Sequence, residues 1–180
     1  QHKFNASIAY NFDIGPVGNT VSLFYNHQSG RPYSTTFSRD MNGDFQDADL
    51  IWVPATANDV IVENGTWADL DFYISSDAGL DAARGSIVGR NASVGPWTHS
   101  LDLRYALDIP VAGKSFQITF DILNLGNLID KDSGVVRYPA FSEVSPVEFR
   151  GIDAATGKPI YRINFTDPDR RWTVDDRRSR

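Results

Sequence analysis

Trp97-Thr98-His99-Ser100-Leu101-Asp102-Leu103-Arg104-Tyr105-Ala106-Leu107-Asp108-Ile109 alternates across thirteen positions, with Trp97, His99, Leu101, Leu103, Tyr105, Leu107 and Ile109 on one side. Thr98, Ser100, Asp102, Arg104, Ala106 and Asp108 fall on the other. A period of two over such a length marks a β-strand with one face in an apolar medium and one in a polar medium. Three further stretches repeat the pattern. Phe4, Ala6, Ile8, Tyr10 and Phe12 oppose Asn5, Ser7, Ala9 and Asn11. Val21, Leu23 and Tyr25 oppose Ser22 and Asn26, with Phe24 interrupting the polar side. Phe116, Ile118, Phe120 and Ile122 oppose Gln117, Thr119, Asp121 and Leu123. Strands are therefore predicted over about 3–13, 20–29, 97–109 and 115–125.

The connections are of two kinds. Ile14-Gly15-Pro16-Val17-Gly18-Asn19 and Pro110-Val111-Ala112-Gly113-Lys114 are short turns bearing Gly and Pro, which make hairpins of strands one and two and of strands three and four. The other two connections, about 30–96 and about 127–180, are far longer than the roughly 12–15 residues usual in a compact domain. Short turns at one end and long loops at the other is the layout of an outer-membrane barrel. A strand of about ten residues, rising roughly 3.3 Å each and tilted near 45°, covers its apolar band of roughly 25 Å. Phe4, Phe12, Tyr25, Trp97 and Phe116 sit toward strand ends, as an interfacial aromatic girdle requires. The opposite face would line a wet lumen. A soluble antiparallel sheet or sandwich also alternates, so periodicity alone leaves both open. They differ in whether lipid or a second sheet covers Phe116, Ile118, Phe120 and Ile122.

Composition narrows the classes. The 180 residues carry 17 Lys and Arg against 23 Asp and Glu, a net charge of -6, and no cysteine. A disulfide scaffold, a thiol nucleophile and Cys-ligated zinc are excluded, and the acidic balance argues against a nucleic-acid partner. The acidity is local: between Gly30 and Pro96, Arg31, Arg39, Arg84 and Arg90 face ten acidic residues. No apolar run approaches the roughly 18 residues of a membrane helix. Gln1-His2-Lys3 has neither an initiator Met nor an apolar signal core, as expected of a piece of something longer. The three histidines, His2, His27 and His99, lie at no metal-ligand spacing. With no nucleophile elbow, phosphate loop or His-Glu-x-x-His helix, no enzyme is expected.

The run Arg84-Gly85-Ser86-Ile87-Val88-Gly89-Arg90-Asn91, then Gly95-Pro96-Trp97 and Leu101-Asp102-Leu103-Arg104, leads to Phe120-Asp121-Ile122-Leu123-Asn124-Leu125-Gly126-Asn127-Leu128. In that order, over nearly the whole chain, it resembles the C-terminal barrel of TonB-dependent outer-membrane transporters. The Oar-like branch, which also tends to carry elements like Asn42-Gly43-Asp44 and Trp52-Val53-Pro54, is the most similar. The Asn-Leu-Gly-Asn-Leu element is the most specific part. The resemblance implies an all-β fold: an antiparallel meander fragment of a transmembrane β-barrel, with long extracellular loops and a short loop helix. Residues 1–180 would be a partial C-terminal barrel region of a transporter that takes up a scarce or large solute across the bacterial outer membrane. Its partners would be outer-membrane lipid, the rest of the barrel and plug in the parent chain, TonB through absent N-terminal parts, and an unidentified external solute. The chain departs from a complete member in lacking the plug and the closing strand, and stops at Arg177-Arg178-Ser179-Arg180, where that strand would begin. Asp102, Arg104 and Asp121 are the expected lumen-facing residues, either meeting plug or solute or forming a wall ion pair. The alternative from another class is a soluble or cell-surface β-rich module that binds calcium or a glycan, or mediates adhesion.

Asp40-Met41-Asn42-Gly43-Asp44-Phe45-Gln46-Asp47-Ala48-Asp49 supplies the oxygen ligands that calcium prefers. Counted as an EF-hand from Asp40, it has Phe45 at the glycine position and Ile51 at the bidentate glutamate position, so it is not an EF-hand. A looser calcium turn through Asp40, Asn42, Asp44, Asp47 and Asp49 is set against a plain solvated acidic turn; calcium is the only cofactor suggested. Further along, Thr66 followed by Asp69 reads as an N-cap, and Trp67, Leu70 and Ile74 share a helical face, which predicts a short helix over about 67–76. The Asn-x-Ser/Thr sequons at Asn5, Asn64, Asn91 and Asn164 would matter only in a secreted eukaryotic chain.

Overall fold

The computed structural model describes residues 2–131, 133–139, 141–165 and 172–175. The Arg177–Arg180 end, at which the sequence reading has the chain stop short of a closing strand, lies outside the described residues. In chain order the elements are β1 (Lys3–Ile14), β2 (Val17–Gln28), β3 (Pro32–Phe37), β4 (Trp52–Val53), β5 (Ile61–Glu63), α1 (Trp67–Ser75), α2 (Ala78–Asp81), β6 (Ser86–Ile87) and β7 (Ser93–Val94). There follow β8 (Thr98–Val111), β9 (Lys114–Ile122), a 3-10 turn (Leu125–Leu128), β10 (Val136–Tyr138), β11 (Glu143–Ile152), β12 (Pro159–Ile163) and β13 (Thr173–Asp175). The chain is mostly strand with few helices, the all-β class that the alternation requires. It divides into two compact units: one from Gln1–Gly30, Pro96–Arg137 and Val174–Arg180, the other from Arg31–Gly95 and Tyr138–Thr173.

The first unit is built on a four-stranded sheet in the order β1-β2-β8-β9, antiparallel at every pair. Its two hairpins are as tight as hairpins become. Ile14 pairs with Val17 across Gly15-Pro16, with Gly15 at φ 63, the glycine-first pattern of a type II′ turn. Val111 pairs with Lys114 across Ala112 and Gly113, both at positive φ (50 and 76), the type I′ pattern. These primed turns match the right-handed twist of the strands they join.

Register carries the alternation across the whole sheet. Ile8, Leu23, Leu103 and Ile122 form one row, and Tyr10, Val21, Tyr105 and Phe120 the next. Near the turns, Ile14 pairs with Val17 and Ile109 with Phe116. This face stays open: Phe116, Ile118, Phe120 and Ile122 are 41–56% exposed, and Ile8 and Tyr10 67%. Toward the far end Tyr25, His27 and Trp97 stack in sequence, the His27 and Trp97 rings 4.6 Å apart. Asn19, a polar residue on this face, is buried beside Tyr105, whose hydroxyl donates to its Oδ1 at 2.6 Å, and its amide nitrogen donates to the Val17 carbonyl.

The segments read from sequence as long loops are a folded body with its own core. Its five-stranded sheet runs β5-β12-β11-β3-β7, and β11 lies parallel to β3 and β12 parallel to β5. Phe37, Ile51, Val53, Leu80, Val88, Val147, Tyr161 and Ile163 are buried together with Leu70, Tyr73 and Ile74 from α1. The helix forms where the cap predicts it: the Asp69 N–H donates to Thr66 Oγ1, and the Asp69 carboxylate accepts from the Thr66 N–H at 2.8 Å. That hydrogen bonding, the Thr66 hydroxyl first, holds the Asp69 carboxyl below its usual range. Tyr161 donates its hydroxyl to the Trp52 carbonyl at 2.9 Å, and burial pushes that phenol well above its ordinary pKa, so it remains a donor. Asp77 is a buried carboxylate that caps α2 through the Gly79 and Leu80 N–H groups and accepts from the hydroxyls of Ser93 and Tyr33.

Candidate functional site

Of the sequence-predicted residues, Asp102, Arg104 and Asp121 come together on the polar face of the first unit's sheet. Arg104 on β8 stands directly opposite Asp121 on β9 and grips it at two points, Nε to Oδ1 at 2.6 Å and Nη2 to Oδ2 at 3.0 Å. It is one rung of a polar ladder: Thr20 donates to Asn11 at 2.8 Å and Gln117 to Asp108 at 3.0 Å, each pair also in register. Such cross-strand pairs stabilise a sheet that must leave this face wet. Beside the ion pair a groove of about 380 Å³ opens between Phe24 and Leu123, floored by Asp102, Arg104 and Asp121. Two carboxylates and one guanidinium leave it with an acidic excess and hydrogen-bond acceptors, fit to hold a polar or cationic group.

Asp102 has a second task. Its Oδ1 accepts the backbone N–H of Asn124 at 2.7 Å, where Asn124 adopts the left-handed region at φ 53. The Asn124 amide nitrogen reaches the Ser133 carbonyl at 2.8 Å. The Asn-Leu-Gly-Asn-Leu element is thus the stop of β9: its first residue bends out of the strand, and a 3-10 turn follows.

The proposed ligands Asp40, Asn42, Asp44, Asp47 and Asp49 gather in one exposed turn of the second unit. Asp40 Oδ1 accepts from the Asn42 and Gly43 N–H groups and Oδ2 from the Phe45 N–H, at 2.7–3.1 Å. Asp47 accepts from the Asp40 N–H, Asp49 from the Met41 N–H, and Asp44 from the Gln46 N–H. Asn42 donates from its side chain to Asp49 at 2.9 Å. Partial desolvation disfavours the Asp40 anion, but the N–H groups of Phe45, Gly43 and Asn42 outweigh it and hold the carboxyl below its usual range. The oxygens therefore face donors within the turn, and among the described residues no set of three or more His, Asp or Glu side chains converges as a metal centre. Phe45 lies at φ 68 and is 98% exposed, so a phenylalanine takes the left-handed position for which an EF-hand uses glycine.

Sequence reasoning missed one cluster. Glu148 on β11 is buried, and its Oε1 meets both Arg150 Nη1 at 2.9 Å and Arg39 Nε at 3.2 Å, with Arg162 opposite in register on β12. The Arg150 hydrogen bond, with the nearby Arg39 and Arg162 charges, overcomes partial desolvation and keeps the Glu148 carboxyl below its usual range. A signal existed: Val147 and Phe149 alternate with Glu148 and Arg150, a strand whose outer face bears opposite charges two residues apart. Comparison of the chain with protein-family models, with characterised proteins and with solved structures finds no match.

Proposed function

We propose that the chain is part of the transmembrane β-barrel of a TonB-dependent transporter of the bacterial outer membrane. The observation that carries this reading is the first unit's open apolar face, continuous across four antiparallel strands of 9–14 residues, back to back with a ladder of polar pairs. Lipid is the solvent such a face requires, and water the solvent of the ladder. Both edge strands, β1 and β9, have a free side on which further barrel strands would pair. The TonB-dependent assignment, and with it uptake of an external solute, rests on the sequence resemblance alone. In the layout of such barrels the long segments that follow β2 and β9 are external loops and would meet solute first.

The deciding experiment expresses the chain with and without detergent. In water it aggregates through its open edges and bare face; in micelles it yields a monodisperse, strand-rich species. A monodisperse, cooperatively melting monomer in plain buffer overturns the barrel and leaves the cell-surface module, for which the second unit's separate core speaks. For the importer, solute uptake by the full parent collapses when the inner-membrane energy supply is removed, and indifference to it overturns that assignment.

A further inference from the structure

The second unit is acidic in sequence, yet three of its arginines gather at Glu148. Arg39, Arg150 and Arg162 surround a carboxylate whose side chain is only 8% exposed, while the Arg39 and Arg150 side chains remain 70% and 43% exposed. One oxygen of Glu148 serves both Arg39 and Arg150, Arg39 through Nε and Arg150 through a single terminal nitrogen. Both arginines nevertheless keep much of their side-chain surface open to solvent. Other acids stand nearby, and those of the acidic turn are engaged within it: Asp47 and Asp49 accept the N–H groups of Asp40 and Met41, beside Arg39. Glu63 stands beside Arg162 across β5 and β12. Asp40, next to Arg39 in sequence, directs both oxygens at the backbone of its own turn.

The buried member of this cluster is the anion and the outward members are the cations. A guanidinium fork matches two oxygens of a carboxylate or phosphate, and a fork already held by a buried partner loses less freedom on binding than a free surface arginine. We infer that Arg39, Arg150 and Arg162, held around Glu148, form a binding site for a small multivalent oxyanion bearing carboxylate or phosphate groups. The site lies wholly in the second unit and does not depend on the membrane reading.

Calorimetric titration of the whole chain in nonionic micelles, at low ionic strength, with inorganic phosphate and separately with citrate, tests this. Saturable one-to-one binding of at least one probe is expected, and the tighter probe distinguishes phosphate from carboxylate chemistry. Arg39→Gln and Arg162→Gln each weaken it by about tenfold, the scale of one lost charge-assisted contact, and together they abolish it. Arg84→Gln, which removes an equal charge from a side chain already paired with Asp71 and Asp81, leaves binding unchanged. Because Arg39 and Arg162 are exposed, their replacement spares the core, and unaltered amide-exchange protection at Leu80 verifies that. Absence of saturable binding by either probe, an equal loss with Arg84→Gln, or persistence in the double variant overturns the site.

Discussion

The Asp102 carboxylate on β8 accepts the backbone N–H of Asn124, 2.7 Å away, just where β9 ends. A strand leaving its partner exposes an N–H that the ladder no longer satisfies, and this side chain takes it up. Asp102→Ala should cost about 1–3 kcal/mol, the penalty for an unmet donor, while Asp102→Asn, which keeps an acceptor, recovers most of it. Gly126→Ala should also destabilise, because a Cβ there would press on the Ser133 side chain. Unfolding midpoints of the micelle-embedded parent check both, and an Asp102→Ala variant melting with the wild type would refute the role of the pair.

Phe120 and Thr119 are neighbours in sequence on opposite faces of β9. Arginine at position 120 would meet lipid, at about 2–4 kcal/mol near the bilayer midplane, and at position 119 would meet water. Phe120→Arg should therefore prevent heat-modifiable barrel from accumulating in the outer membrane, and Thr119→Arg should assemble normally. Since Phe120 is 56% exposed in the chain itself, a water-soluble module would tolerate both, and equal assembly counts against the membrane.

In the acidic turn, Asp40→Ala removes the acceptor of three N–H groups at once. Protease cleavage between Asn42 and Gln46 should accelerate at least severalfold. Phe45→Gly should slow it, since glycine adopts φ 68 without the roughly 1–2 kcal/mol that the left-handed region costs other residues. Adding calcium to the wild type reads the metal directly: protection that Asp40→Ala abolishes would assign the ion to this turn, whereas an unchanged digest would leave a plain hydrogen-bonded turn.

Acid should weaken the second unit. The Asp40, Asp69 and Glu148 carboxyls are all held below their ordinary values of 3.8, 3.8 and 4.5. A depressed folded pKa means that the unfolded chain binds more protons, so stability is fully present above the ordinary values and is lost as pH falls through them toward the lower folded ones. Amide protection of the buried Leu70, Tyr73 and Ile74 should be flat from pH 7 to about 5 and then decline. Glu148→Gln should flatten part of the decline.

What was legible in the sequence was whatever a local period encodes. β1, β2, β8 and β9 each alternate over 9–14 residues, and α1 carries its capping box in sequence, so strands, hairpins and helix could be read without knowing any neighbour. The second unit could not. In β3, Tyr33 through Phe37 are buried on both faces, which erases the alternation, and β4, β6 and β7 have two residues each, too few for a period. Residues 40–62, which read as a loop, contain Ile51, Val53 and Val60 of the core. Among the site residues, the partner of Arg104 was visible because both strands were. The Glu148 cluster needed β11, β12 and the end of β3 to be brought together first.

The parallel pairing of β3 with β11 also sets an order of events during synthesis. Thr36 and Ser145 touch hydroxyl to hydroxyl across 109 positions of chain, and β5 must wait for β12, which follows later still. β3 and β5 thus emerge long before their partners, while the two hairpins of the first unit can close as soon as each is made. Contacts so distant in sequence form slowly, so the second unit should be the last part of the chain to acquire structure. Until then its early strands are the ones a holdase chaperone would have to shield.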